Sequence, residues 1–166
     1  MVCLLFALCG IHLYWSNTTF GVTRYTIADD TLPPALQGFT IVQISDLHNT
    51  AFGEQQSQLL EATAQQQPDI IAITGDFIDS YHTDISISME FIHWAAAIAP
   101  IYYVPGNHES RLPEQYVRLK QQLKAAGVIL LEDAGAIITY NHTPIRLLGV
   151  KDPSFTAPET PLSPTT

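Results

Sequence analysis

Apolar residues gather in short runs at residues 41–44, 69–75 and 101–104, each giving way to glycine and polar residues. Runs of this length bounded by turn residues read as buried strands. Between them the apolar spacing changes to that of helices. Residues 55–67 bring Leu59, Leu60 and Thr63 to one side before Pro68 stops the helix, and the glutamines around them read as its polar face. Residues 84–99 place Ile85, Met89, Ile92 and Ala96 on a stripe that predicts packing on the sheet, with Pro100 as the stop. A third helix opens at Pro113, with Glu114 early, Lys120 and Lys124 late, and Gly127 as its cap.

Residues 128–131 predict a fourth strand. Residues 136–140 and 145–150 predict a hairpin joined through Asn141, His142, Thr143 and Pro144. Upstream, residues 17–32 alternate loosely through Val22, Tyr25 and Ile27, which suggests an edge strand before Pro33 and Pro34 break the pattern. From Asp152 onward proline, threonine and serine dominate and no element is expected. Strands alternating with helices imply a largely parallel sheet in an α/β domain.

At 166 residues the chain suits one domain with a substantial core. The domain is expected over residues 17–152, between a hydrophobic segment at 1–16 and a Pro/Thr-rich tail at 153–166. A net charge of −9 argues against nucleic acid or anionic lipid as the main electrostatic partner. The two cysteines, Cys3 and Cys9, both lie in the first segment, which excludes a disulfide framework or a zinc knuckle in the domain. Residues 2–15 are apolar apart from His12, yet short of the about 20 residues of a full span. They admit three readings: a truncated membrane anchor, an uncleaved signal anchor with a misplaced start, or a buried helix. The anchor is favoured because Tyr14 and Trp15, interfacial residue types, close the segment; its orientation is left open.

The candidate chemistry sits where the first three strands end. These ends read Asp46-Leu47-His48, Gly75-Asp76 and Gly106-Asn107-His108-Glu109. In a parallel sheet they lie along one edge, where open α/β sheets place ligand-binding groups. Each fragment alone is a common turn, but three of them at successive strand ends make a donor set suited to Mn, Fe or Zn. The glycines before Asp76 and Asn107 permit sharp departures of the backbone. No Gly-x-Ser-x-Gly elbow occurs and neither cysteine is in the domain, so serine or thiol hydrolysis is disfavoured.

With their flanks, these blocks resemble the first three signature motifs of the calcineurin-like metallophosphoesterases: Ile44-Ser-Asp-Leu-His48, Pro68 through Asp79, and Tyr103-Val-Pro-Gly-Asn-His-Glu109. The resemblance runs from about residue 17 to about residue 155. It is similar to the branch whose catalytic domain follows a membrane segment, and Leu147 to Asp152 resembles that branch's middle region. It implies a metallophosphoesterase-like layered sandwich of mixed sheets flanked by helices. It also implies a hydrolase of phosphate mono- or diesters that uses two divalent ions and activated water. Asp46 and His48 would hold the first ion, Asp76 would bridge both, and Asn107 would hold the second. His108 would be the catalytic residue beside the phosphate, with Glu109, where the family often has Asp, accepting its second N–H. Two ions about 3.5–4 Å apart would clamp an in-line displacement.

The family's further histidines, in two C-terminal blocks that include Gly-His-x-His, have no counterpart here. His82, His93 and His142 read as loop or surface residues rather than replacements. The expectation is therefore an N-terminal portion of such an enzyme, with an incomplete second sheet, apolar surface exposed near residues 137–150, and weak or absent turnover. The alternative is an inactive metal- or phosphate-binding remnant. The expected setting is a membrane, that of a bacterial cell, with a lipid or envelope phosphate ester as substrate and no nucleic-acid partner.

Overall fold

The computed structural model describes Gly10 and residues 19–155. Four strands form one parallel sheet in the order β1-β2-β3-β4: β1 (Ile41–Ile44), β2 (Ile70–Thr74), β3 (Ile101–Val104) and β4 (Ile129–Leu130). The connections carry α1 (Ser57–Ala64), α2 (Ser86–Ala95), the one-turn α3 (Asn107–Ser110) and α4 (Pro113–Ala125). A hairpin of β5 (Ala134–Tyr140) and β6 (Thr143–Gly149) forms a second, two-stranded sheet. The α/β class with a flanked parallel sheet and a small second sheet is the one expected.

Alternation along β2 and β3 divides the core between the two faces of the sheet. Ile71, Ile73, Ile101 and Tyr103 point to the helices, packing with Phe91, Ile92, Leu119 and Leu123. Ile70 and Tyr102 point the other way with Leu131, against Phe39, Val104, Ala136, Ile138 and Leu147. The hairpin thus covers the second face with alternate residues, and its outer residues Ile137 and Leu148 remain 69% and 73% exposed. Its turn is tighter than the four residues expected. Tyr140 pairs with Thr143 across Asn141 and His142, both at positive φ, the geometry that follows strand twist.

Several expectations need correction. Residues 19–29 form no strand; Val22, Tyr25 and Ile27 are exposed. Their spacing of three and then two residues gives no single face to bury, which a strand requires. Only Phe20 from this stretch packs on the core, edge-on to Phe52. The second helix is shorter than expected and its buried stripe is Ser88, Phe91, Ile92 and Ala95, whereas Ala96 is exposed. Ser88 escaped notice because serine carries no apolar signal; its hydroxyl lies 2.6 Å from Asn49 Oδ1 and 2.7 Å from the Phe77 carbonyl, under the site loops. Gln56 likewise does not join a polar face. It is fully buried, donates to the carbonyls of Thr50 (2.9 Å) and Ile87 (3.3 Å), and accepts the Phe52 N–H. Past Asp152, Pro153–Phe155 make a short 3-10 turn that sets the Phe155 ring 5.4 Å from that of Tyr116.

Among the described residues no helix is long and apolar enough to cross a membrane. The anchor expected at residues 1–16 lies outside the described residues but for Gly10.

Candidate metal centre

The pairing of the strands sets the site. Ile44 stands opposite Ile73 and Thr74 opposite Val104, so β1, β2 and β3 end nearly level. The first two loops then continue the ladder, with Asp46 N–H donating to the Gly75 carbonyl (3.2 Å), His48 N–H to Asp76 (3.0 Å) and Asn49 N–H to Phe77 (3.2 Å). Asp46, His48 and Asp76 all have φ near +50°, a region that costs a non-glycine residue energy and persists where surroundings enforce it. The interloop hydrogen bonds supply that enforcement.

Side chains from all three loops meet. Ligand atoms of His48, Asp76 and His108 lie within 4.8 Å of one another, and no other trio of His, Cys, Asp or Glu does so among the described residues. Asp46 sits just outside that trio, with its Oδ1 3.7 Å from His48 Nε2, and is mostly exposed. Asn107 lies against Asp76: with its amide turned so that both of its polar atoms are paired, Nδ2 donates to Oδ2 (2.8 Å) and Oδ1 (3.1 Å) and Oδ1 accepts from Arg111 Nη2 (3.0 Å). Asp76 Oδ1 also accepts the His108 backbone N–H at 2.9 Å. The structure therefore brings Asp46, His48, Asp76, Asn107 and His108 to one place. His82 and His142 sit in loops and His93 is exposed beside Trp94, and none of them belongs to the group.

The chemistry of the donors fits a cation. Two carboxylates, an amide and an imidazole converge with one guanidinium nearby, and mixed oxygen and nitrogen donors suit Mn, Fe or Zn. The His108 ring has a different aspect. Its Nδ1 accepts the Ser80 N–H at 3.2 Å, which leaves the proton of the neutral ring on Nε2. A protonated Nε2 cannot ligate a metal but can donate a hydrogen bond. The His48 and His108 rings meet edge to face at 4.4 Å.

Behind His108 stands Asp79, a residue to which the sequence reading gave no role although it closes the Gly75–Asp79 block. Its Oδ1 is 3.6 Å from His108 Nδ1 and its Oδ2 is 3.0 Å from His82 Nδ1. The hydrogen bond to His82, then the Tyr81 N–H, hold the Asp79 carboxyl below the usual carboxylate range. Asp79 thus stays ionised beside the His108 ring.

Glu109 differs from expectation. It turns away from the His108 ring and is fully buried beneath the loops. Oε1 accepts from Phe77 N–H (2.8 Å) and Ile78 N–H (3.2 Å), and Oε2 from Gly106 N–H (2.8 Å) and Asp76 N–H (3.0 Å). The bond to Gly106 is one half of a capping box on α3, whose other half glycine cannot supply. A glutamate side chain reaches these amides because β2 and β3 are neighbours, a proximity no local pattern displays. Burial, then the charge of Glu109, push the Tyr103 phenol well above its ordinary value.

Comparison with known proteins places most of the described chain in one family. The family described as calcineurin-like phosphoesterase matches residues 39–157. Over 123 residues the chain is 32% identical to the uncharacterized metallophosphoesterase YkoQ of Bacillus subtilis (strain 168), a match covering 72% of this chain and 45% of that protein. The chain therefore spans less than half the length of that relative. Among solved structures, phosphopantetheinyl hydrolase (PptH) from Mycobacterium tuberculosis shares the fold, with a TM-score of 0.50 and 20% identity over 66% of this chain and 41% of that one.

Proposed function

Since the chain belongs to the calcineurin-like phosphoesterase family, we propose that its loop cluster is the metal-binding part of a centre that hydrolyses phosphate mono- or diesters. The observation that carries this reading is the convergence of Asp46, His48, Asp76 and Asn107 at the ends of three parallel strands, with ligand atoms of His48 and Asp76 within 4.8 Å of each other. Asp46 and His48 would hold one divalent ion, Asp76 would serve both ions, and Asn107 would serve the second by turning its amide oxygen toward it. When bound, such ions neutralise phosphoryl charge and acidify water, with Mn, Fe or Zn compatible with these donors.

The chain's own residues supply the rest. His108 presents Nε2–H as a hydrogen-bond donor to a phosphoryl or leaving oxygen, and Asp79 stands behind the ring. Arg111, beside Asn107, adds a positive group at a site otherwise rich in carboxylates. Membership of the membrane-anchored branch, and a lipid or envelope ester as substrate, form the finer part of the proposal and take their support from the apolar segment at residues 2–15 alone.

A second reading, a metal- or phosphate-binding remnant without turnover, is favoured by the thin donor set of the second ion, for which Asp76 and Asn107 are the assigned ligands. Release of p-nitrophenol from bis-p-nitrophenyl phosphate with Mn²⁺ tests both. The hydrolase reading expects turnover in the parent and none in Asp76→Asn. Equal rates in the two remove the assigned bridge, and Mn²⁺ binding without turnover selects the remnant.

A further inference from the structure

Glu109 is the most deeply buried charge of the site region, yet it faces no cation and no substrate position. Its carboxylate instead takes four backbone N–H groups at 2.8–3.2 Å, two from residues directly after Asp76, one from Asp76 itself and one from Gly106. Hydrogen bonds to an ionised acceptor are short and roughly twice as strong as neutral ones. These four tie the loop after β2 to the loop after β3. The first loop carries Asp76 and Asp79, and the second carries Asn107 and His108.

The constraint bears on atoms that matter. Asp76 is held at φ +49° while its amide is pinned by Glu109 and its carboxylate by the His108 N–H and the Asn107 amide. Without the carboxylate, four donors pointing at one buried spot would be left unpaired. The tie between the two loops would then fall back on contacts such as that of the His108 N–H with Asp76 Oδ1.

We propose that Glu109 is the positioning residue of the metal centre: its buried carboxylate locks the two loops together and so fixes Asp76 and Asn107 relative to each other. It does not orient His108 and it does not touch metal. In Glu109→Gln the side chain keeps its shape but presents one N–H₂ to backbone donors, so half of the cradle becomes repulsive. In Glu109→Asp the charge remains on a shorter arm, and much of the effect is recovered.

The inference rests on the metal-centre reading, and Mn²⁺ calorimetry on metal-stripped chain separates the two. Glu109→Gln is compared with Leu123→Ala, a core truncation in the last turn of α4, with unfolding midpoints measured for each. The parent binds Mn²⁺; Glu109→Gln loses about tenfold or more in affinity, Glu109→Asp regains part of it, and Leu123→Ala keeps parental affinity despite its lower midpoint. Equal loss in Glu109→Gln and Leu123→Ala, or no loss in Glu109→Gln, overturns the positioning role and leaves the metal centre standing. A parent that binds no Mn²⁺ overturns both. Where Glu109→Gln does not fold, amide exchange in the parent decides: Zn²⁺ slows exchange at Asp76, Phe77, Ile78 and Gly106, and unchanged exchange at these four amides overturns the proposal.

Discussion

Gly106→Ala is the substitution that tests the site geometry with the smallest chemical change. Gly106 sits at φ −100° and ψ −168°, ordinary extended backbone, so alanine brings no conformational penalty there. The effect is purely one of space. A methyl group at this position meets Asp76 Oδ1 and, at 2.5 Å, the Asp76 backbone nitrogen, where ordinary contact begins at 3.4 Å. Relief requires a shift of about 1 Å between the two loops, several times the about 0.2 Å tolerance of metal–ligand distances. Gly75 cannot yield on the other side, since it lies at φ +91° with the Gly106 backbone against it.

The expected cost in stability is that of overpacking, about 1–3 kcal/mol. The expected loss of Mn²⁺ affinity is about tenfold to a hundredfold, because Asp76 is moved rather than removed. Calorimetric titration of metal-stripped protein, with urea unfolding of the same samples, reads both. A Gly106→Ala chain that binds Mn²⁺ within threefold of the parent, at an unchanged unfolding midpoint, would refute the close approach of the loops and the reasoning built on it.

Other consequences are accessible to simple measurement. Leu123→Ala removes a fully buried side chain between α4 and the sheet and lowers stability by about 2–5 kcal/mol, read as a lower urea midpoint at unchanged slope; a midpoint equal to the parent's contradicts the core assignment. Asp79 is held below the ordinary carboxylate value first by His82, so its contribution to stability is full above about pH 4 and disappears as pH falls through the lowered value. His82→Ala therefore moves the Asp79 titration, followed by carboxyl NMR, upward; an unmoved titration denies the pairing. The outer hairpin residues Ile137 and Leu148 touch water, so replacing both with serine leaves the unfolding midpoint within about 0.5 kcal/mol of the parent and reduces binding of a hydrophobic dye. A large destabilisation would place them in a packed face instead.

The legibility of this chain follows the range of the interactions involved. Strand identity and strand ends were readable because apolar runs stop abruptly at glycine and polar residues, as at Thr74-Gly75 and Val104-Pro105-Gly106. The meeting of three loops at one edge followed from the parallel topology, which the strand–helix alternation carries. The buried polar residues did not show themselves. Ser88, Gln56 and Glu109 look like surface residues by type, and their burial depends on carbonyls and amides brought to them by other segments. The stretch at residues 19–29 misled in the opposite sense. Its apolar residues suggested a strand, but a strand needs a consistent face and an edge to pair with, and Val22, Tyr25 and Ile27 find neither. Asp79 was visible in the motif and overlooked, since its partner His108 lies 29 residues away and only the fold brings them within 3.6 Å.

The most direct measurement is the position of a bound metal. Crystals of this chain soaked in Zn²⁺ and measured at the zinc absorption edge are expected to show anomalous density about 2.0–2.2 Å from an Asp76 carboxylate oxygen and from a His48 ring nitrogen. Density confined to other parts of the surface, or none at all with Asp76 still bonded to Asn107 and the His108 amide, would contradict a metal centre at these loops.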